Sequence, residues 1–138
     1  MAGRRPTQQD YEILAEFRAT LRRFLAFSEA AARRAGLTPR QHQALLAIKG
    51  APSKTALSVK ELADRLQLRH NSTVELANRL TKTGLLVRTT DRTDRRRVRL
   101  KATRRGEARL AALSAIHLQD LRRMRQVLHR LLDRLDSE

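Results

Sequence analysis

The chain has 138 residues, the size of one domain, and its 30 Lys and Arg against 14 Asp and Glu give a net charge of +16. Repulsion on that scale opposes a compact free fold and points to a polyanionic partner, nucleic acid first. With no Trp and 3% aromatic residues, neither a membrane-lying helix with an aromatic face nor base stacking on single strands has the side chains it needs, and the lack of Cys excludes disulfides, thiolate metal sites and thiol redox switches.

The start, 1–10, is polar, and no run of 18 apolar residues occurs anywhere. This predicts a cytoplasmic protein. Thr7, with Asp10 three residues on, can cap a helix carrying Tyr11, Leu14, Phe17, Leu21, Phe24, Leu25 and Ser28 at helical spacing, ended by Gly36. Thr38-Pro39-Arg40-Gln41 is a capping box with proline at the first helical position. It opens a short helix with Leu45, Leu46 and Ile48, closed by Gly50, and 51–57 reads as a loop. Ser58 and Glu61 form a second box before Leu62, Ala63 and Leu66. A tight turn comes next, at 67–70. Ser72-Thr73-Val74-Glu75 offers a third box, which predicts a helix at about 71–83 with Leu76, Ala77 and Leu80 on its core side.

Two short helices joined by such a turn form a helix-turn-helix. Leu85-Leu86-Val87 then reads as a strand, 91–95 as a turn and 98–102 as a return strand, with Thr103 placed to cap a final helical stretch. A helix-turn-helix followed at once by a hairpin is a winged helix, so the expected fold is mainly α (α+β). From Arg104 to Leu135 no breaker occurs after Gly106. Leu110, Ser114, His117, Leu121, Met124, Leu128, Leu131 and Leu135 recur at the alternating steps of a helix seam. The stretch reads either as one helix or as two with a break near 115–118. Leu113, Ile116, Leu118, Val127 and Leu132 widen the stripe, which predicts packing against the first helix and a partner chain. The competing expectation is a helical hairpin within a monomer. The predicted division is 1–36 and 104–138 for dimerisation helices and 37–103 for a DNA-binding lobe. Leu14, Phe17, Leu21, Leu121, Met124, Leu128, Leu131 and Leu135 are the candidate dimer contacts.

Between Arg88 and Arg105 stand nine basic residues and two acids, Asp91 and Asp94. A cation crowd at a hairpin turn suits a narrow minor groove, where negative potential is concentrated. Arg92, Arg95, Arg96 and Arg97 are the candidate wing contacts, and Asp94 is expected to brace an arginine. On the preceding helix Asn71, Ser72, Thr73, Val74, Asn78 and Arg79, with Arg69 and His70 in the turn, are the candidates for base edges and phosphates. Glu75 has two readings: it accepts from cytosine N4, or it completes the third capping box. His42, His70, His117 and His129 have no close ligand spacing, so no metal is expected. No glycine-rich phosphate loop, Gly-x-Ser-x-Gly or His-Glu-x-x-His pattern occurs, so neither an enzyme nor a cofactor is expected.

These residues resemble the MarR family of bacterial regulators between about Leu37 and Gly106. The likeness runs through Leu37-Thr38 with Gln41 and His42, Leu62-Ala63, Leu66, Leu76, Arg79, Leu80 and Gly84-Leu85-Leu86-Val87-Arg88. Its most specific part is Asp91-Arg92-Thr93-Asp94-Arg95-Arg96-Arg97-Val98 with Leu100, Thr103 and Gly106. Arg92 stands where the family often has proline, and Ala102 where it often has leucine. The resemblance implies a homodimer with interlocked end helices that binds a pseudo-palindromic double-stranded operator. It also implies an Asp94–Arg96 pair at the wing tip. Many members are repressors released by a small ligand held between the dimerisation helices and the DNA-binding lobe, which here implicates Arg18, Arg22 and His42. The competing expectation is a nucleoid-type or RNA-binding structural protein using the same charge without sequence choice.

Overall fold

The computed structural model describes residues 3–52, 56–90 and 93–136 and runs α1(Gln8–Arg34), α2(Pro39–Lys49), β1(Leu57–Ser58), α3(Val59–Leu66), α4(His70–Lys82), β2(Leu86–Thr90), β3(Val98–Ala102), α5(Arg104–Asp136). It divides into two compact units, 31–114 and a second made of 1–30 with 115–138, so the boundary falls inside α1 and inside α5. This is a mainly helical winged-helix fold, as the sequence predicts.

Within 31–114 the helix starts obey local chemistry. The Thr38 hydroxyl accepts from the Gln41 N–H at 3.1 Å while the Gln41 side chain accepts from the Thr38 N–H at 3.0 Å. Ser58 and Glu61 make the same reciprocal pair at 3.1 Å each way. Each box satisfies two of the N–H groups that a helix start leaves open. The turn between α3 and α4 is made by Gln67, the one described non-glycine residue with positive φ, at 55°.

The hairpin pairs Leu86 with Ala102 through Thr90 with Val98, so β2 runs three residues beyond Val87, the predicted end of the first strand. The sheet also has a strand where the sequence predicts only loop. β1 pairs antiparallel with β3, setting Leu57 opposite Leu100, and the strand order is β1-β3-β2. Leu57 and Leu100 are buried with Leu45, Leu62, Leu80, Leu85, Leu86 and Leu113 in one continuous core.

The root of the wing is fixed where β3 meets α5. Thr103 caps α5, its hydroxyl accepting from the Gly106 N–H at 3.1 Å and donating to the Gly84 carbonyl at 2.7 Å. Its own N–H donates to the Leu85 carbonyl at 3.1 Å. Gly106 is needed for close approach rather than as a breaker, because a Cβ there would overlap the Leu85 carbonyl oxygen.

In the other unit α1 and α5 run antiparallel, joined by Glu12 with Arg134 at 3.4 Å and by Ser28 with His117 at 2.7 Å. The His117 ring meets Phe24 and Phe27 edge-on, with centroids 6.0 and 5.8 Å away. At the start of α1, Thr7 and Asp10 exchange hydrogen bonds as expected, and Arg4 adds an ion pair to Asp10 at 2.8 Å. α5 is one unbroken helix. Its predicted seam does not stay on one side. Leu131 is buried within the chain, Met124 and Leu128 are half-buried, and Leu121 and Leu135 are exposed. Seam positions three or four residues apart are offset by about 40–60° round a helix of 3.6 residues per turn, so one packing partner covers some of them and leaves others to solvent. The predicted stripe on α1 is likewise mostly outside: Leu14, Phe17 and Leu21 are exposed, whereas Ile13, Thr20 and Ser28 are buried.

Candidate nucleic-acid interface

The helix α4 buries Thr73, Leu76, Ala77 and Leu80, which share one side. The opposite side carries Asn71, Glu75, Asn78 and Lys82, with Arg79 beside them, all exposed. Helical periodicity sets this division, since residues three and four apart stack on one face. The helix begins one residue earlier than expected. Arg69 occupies the N-cap without a side-chain hydrogen bond, so the third capping box does not form, and Ser72 and Glu75 lie inside the helix. Packing overrides the local signal here, because Thr73 is drawn into the core and its hydroxyl donates to the Arg69 carbonyl at 2.9 Å. Thr73 is therefore a core residue and not a contact for DNA. Ser72 and Val74 are half-buried flanks of the exposed face.

At the wing tip Arg95, Arg96 and Arg97 are exposed, with the Arg96 side chain 97% accessible. Asp94 organises them. Its carboxylate accepts from the Arg96 N–H at 3.1 Å and stands 3.9 Å from the Arg96 Nε, while its carbonyl accepts from the Arg97 N–H at 3.0 Å. Arg92 lies outside the described residues. Arg99 has a different role. Its side chain, 13% exposed, turns inward, and the guanidinium donates to the Ala56 carbonyl at 2.7 Å and stands 3.5 Å from Glu61. The Glu61 carboxyl is held below its ordinary range, first by the Ser58 backbone N–H and its hydroxyl, then by the positive charge of Arg99 and Arg97.

Sequence reasoning assigns Arg88 no specific role. From β2 it donates to the Asn78 side-chain carbonyl, tying the wing's base to α4. Arg88, Arg96 and Arg97 line one groove with His70 and Val74 of α4. The signal lies in the alternation of β2 beside a helix of known face, but only the pairing of elements shows who meets whom. Of the residues expected to hold a ligand, Arg18 and Arg22 are exposed on α1 in one unit, and His42 is buried on α2 in the other. Among the described residues no group of three His, Cys, Asp or Glu stands close enough to hold a metal ion, and no helix is long and apolar enough to cross a membrane.

Residues 35–97 match the model of the MarR family. Among curated proteins none matches the sequence. The fold is similar over nearly the whole chain to AbsC, a MarR family transcriptional regulator from Streptomyces coelicolor, with a TM-score of 0.69 and 16% identity over 99% of this chain and 100% of that one. It is also similar to the S. aureus MepR F27L mutant bound to an oligodeoxyribonucleotide, with a TM-score of 0.72 and 20% identity over 92% and 96% of the two chains. CouR from Rhodococcus jostii RHA1 bound to p-coumaroyl-CoA gives a TM-score of 0.65 and 24% identity over 83% and 82%. Over residues 35–97 the chain thus resembles the MarR family, and nearly its whole length shares the fold of AbsC.

Proposed function

We propose that the chain is a dimeric regulator of transcription that binds a pseudo-palindromic site on double-stranded DNA through α4 and the wing. The observation that carries this reading is the joint geometry of one lobe. An exposed helix face rich in Asn and Arg and a hairpin tip with three solvent-facing arginines are tied together by Arg88 and Asn78. In this reading α4 enters the major groove, where its Asn and Arg side chains meet base edges, and Arg95, Arg96 and Arg97 enter the adjoining minor groove. Arg69 and His70, exposed at the start of α4, contact phosphates.

Dimerisation is supported by the apolar surface of α1 and α5. Leu14 at 60% exposure, Leu121 at 50% and Leu135 at 53% stand on the outside of the unit. A concentration of large exposed apolar side chains suits an interaction face. A second copy covers it and sets two α4 helices on successive major grooves. The regulator is a repressor released by a small ligand. This is supported by the match to the MarR family model and by the fold shared with CouR, which was solved bound to p-coumaroyl-CoA.

Selection of bound duplexes from a random pool tests the reading. A regulator enriches a palindrome and prefers it over random duplex by about 10³-fold or more at physiological salt. Equal affinity for all sequences, with one steep salt dependence, would instead mark a general binder and overturn the proposal.

A further inference from the structure

We infer that Glu75 is a specificity-determining residue that reads cytosine in the major groove, an inference that rests on the DNA-binding reading above. Glu75 is the one acidic residue of α4, in a chain of net charge +16, and it stands near the centre of the exposed face between Asn71 and Asn78. The role that would explain it without DNA is absent. The helix starts at His70, so Glu75 is too far inside to cap it. Among the described residues, neither the Ser72 backbone nor Arg79, one turn on, forms a hydrogen bond or ion pair with its carboxylate. The carboxylate is exposed in a shallow hollow with Arg40 and Arg79 on its walls.

A carboxylate facing phosphates is repelled by them, so docking needs a donor to meet it. In the major groove the amino donors are cytosine N4 and adenine N6. An ionised carboxylate has only acceptors. Adenine sets the N7 acceptor directly beside its amino group, where the second carboxylate oxygen would face it. Cytosine has a carbon-bound hydrogen on that side, so it is the base an acceptor-only side chain selects. Neighbouring Asn78 has the opposite bias. With its carbonyl engaged by Arg88, its amide N–H groups are left to donate. The middle of the helix thus presents an acceptor and a donor side by side, a pattern that a C·G pair followed by a purine N7 or O6 satisfies.

The test compares duplex selection by the full chain and by Glu75→Gln, a surface change that keeps size and removes the charge. Glutamine can both donate and accept and pairs with adenine N6 and N7. The wild-type chain should enrich cytosine at one symmetric pair of positions, and the variant should lose that preference by about tenfold or move it to adenine, leaving the other positions unchanged. Its affinity for random duplex should rise, because a repulsive charge is gone. Identical enriched sites for both chains would overturn the role of Glu75 while leaving the regulator intact. Failure of the wild-type chain to enrich any site would overturn the regulator reading itself.

Discussion

The two units of the molecule solve opposite problems. Residues 31–114 close on themselves: Leu45, Leu57, Leu62, Leu80 and Leu100 are almost entirely shielded in one core of helices and sheet. The unit of α1 and α5 does not. Ten of the thirteen exposed large hydrophobic side chains among the described residues belong to it, and its buried apolar residues include little beyond Ile13 and Leu131. Two helices have too little mutual surface to bury two apolar stripes each, so one stripe faces inward and the other faces out. Under the proposed function this division is useful: a lobe that reads a groove must keep its shape alone, whereas an assembly element can leave part of its core to be supplied by another copy.

Truncating side chains should separate the two units most sharply. Leu100→Ala removes a side chain with no exposed surface at the centre of the sheet, and its unfolding free energy should fall by about 2–5 kcal/mol. Leu132→Ala, at a position 58% exposed, should change the unfolding of the monomer by less than about 0.5 kcal/mol. Equal losses in urea titrations would erase the distinction. Placing charge on the outward stripe comes next. Leu121→Glu with Leu132→Glu should weaken the dimer by about 2–4 kcal/mol, because carboxylates would be buried without partners. Sedimentation should report monomers that keep a folded lobe, and an intact dimer would relocate the interface.

A wing variant sharpens the comparison from the other side. Arg96→Ala should reduce affinity for the selected duplex about tenfold, the loss expected for one charge-assisted contact, without altering unfolding or sedimentation. Unchanged affinity would remove Arg96 from the interface. The smallest effect concerns acid. The Asp10 carboxyl is drawn down to about 2, first by the hydrogen bond from Arg4, then by the Thr7 N–H. Because this folded value lies below the unfolded one, ionised Asp10 favours the folded start of α1 above about pH 4, and the contribution is lost as pH falls from there towards 2. Arg4→Ala should bring the loss of protection at residues 8–12 to higher pH in amide exchange, and matching profiles would show that the pair contributes nothing.

Features held within three or four residues are readable from the sequence. The Thr38 and Ser58 boxes, the Thr103 cap and the Asp94 turn each form as their spacing predicts. Features made by distant partners are not. β1 exists only because β3 passes beside it. The apparent box at Ser72 gives way to the pull of Thr73 into the core, which also removes Thr73 from the candidate interface. Arg99 looks in sequence like every other arginine of the wing, yet it turns inward because the Ala56 carbonyl and Glu61 wait behind the sheet. On α1 and α5 the apolar residues are recognisable, but each helix has two apolar sides, and composition does not say which one a neighbour takes.

The clamp at the base of the hairpin has a mechanical consequence. Thr103 and Gly106 lock one end of the strands to the Gly84 and Leu85 carbonyls, and Arg99 secures the edge to Ala56. The wing is therefore mounted at its root like a cantilever, and that mount sets its angle of departure from the lobe.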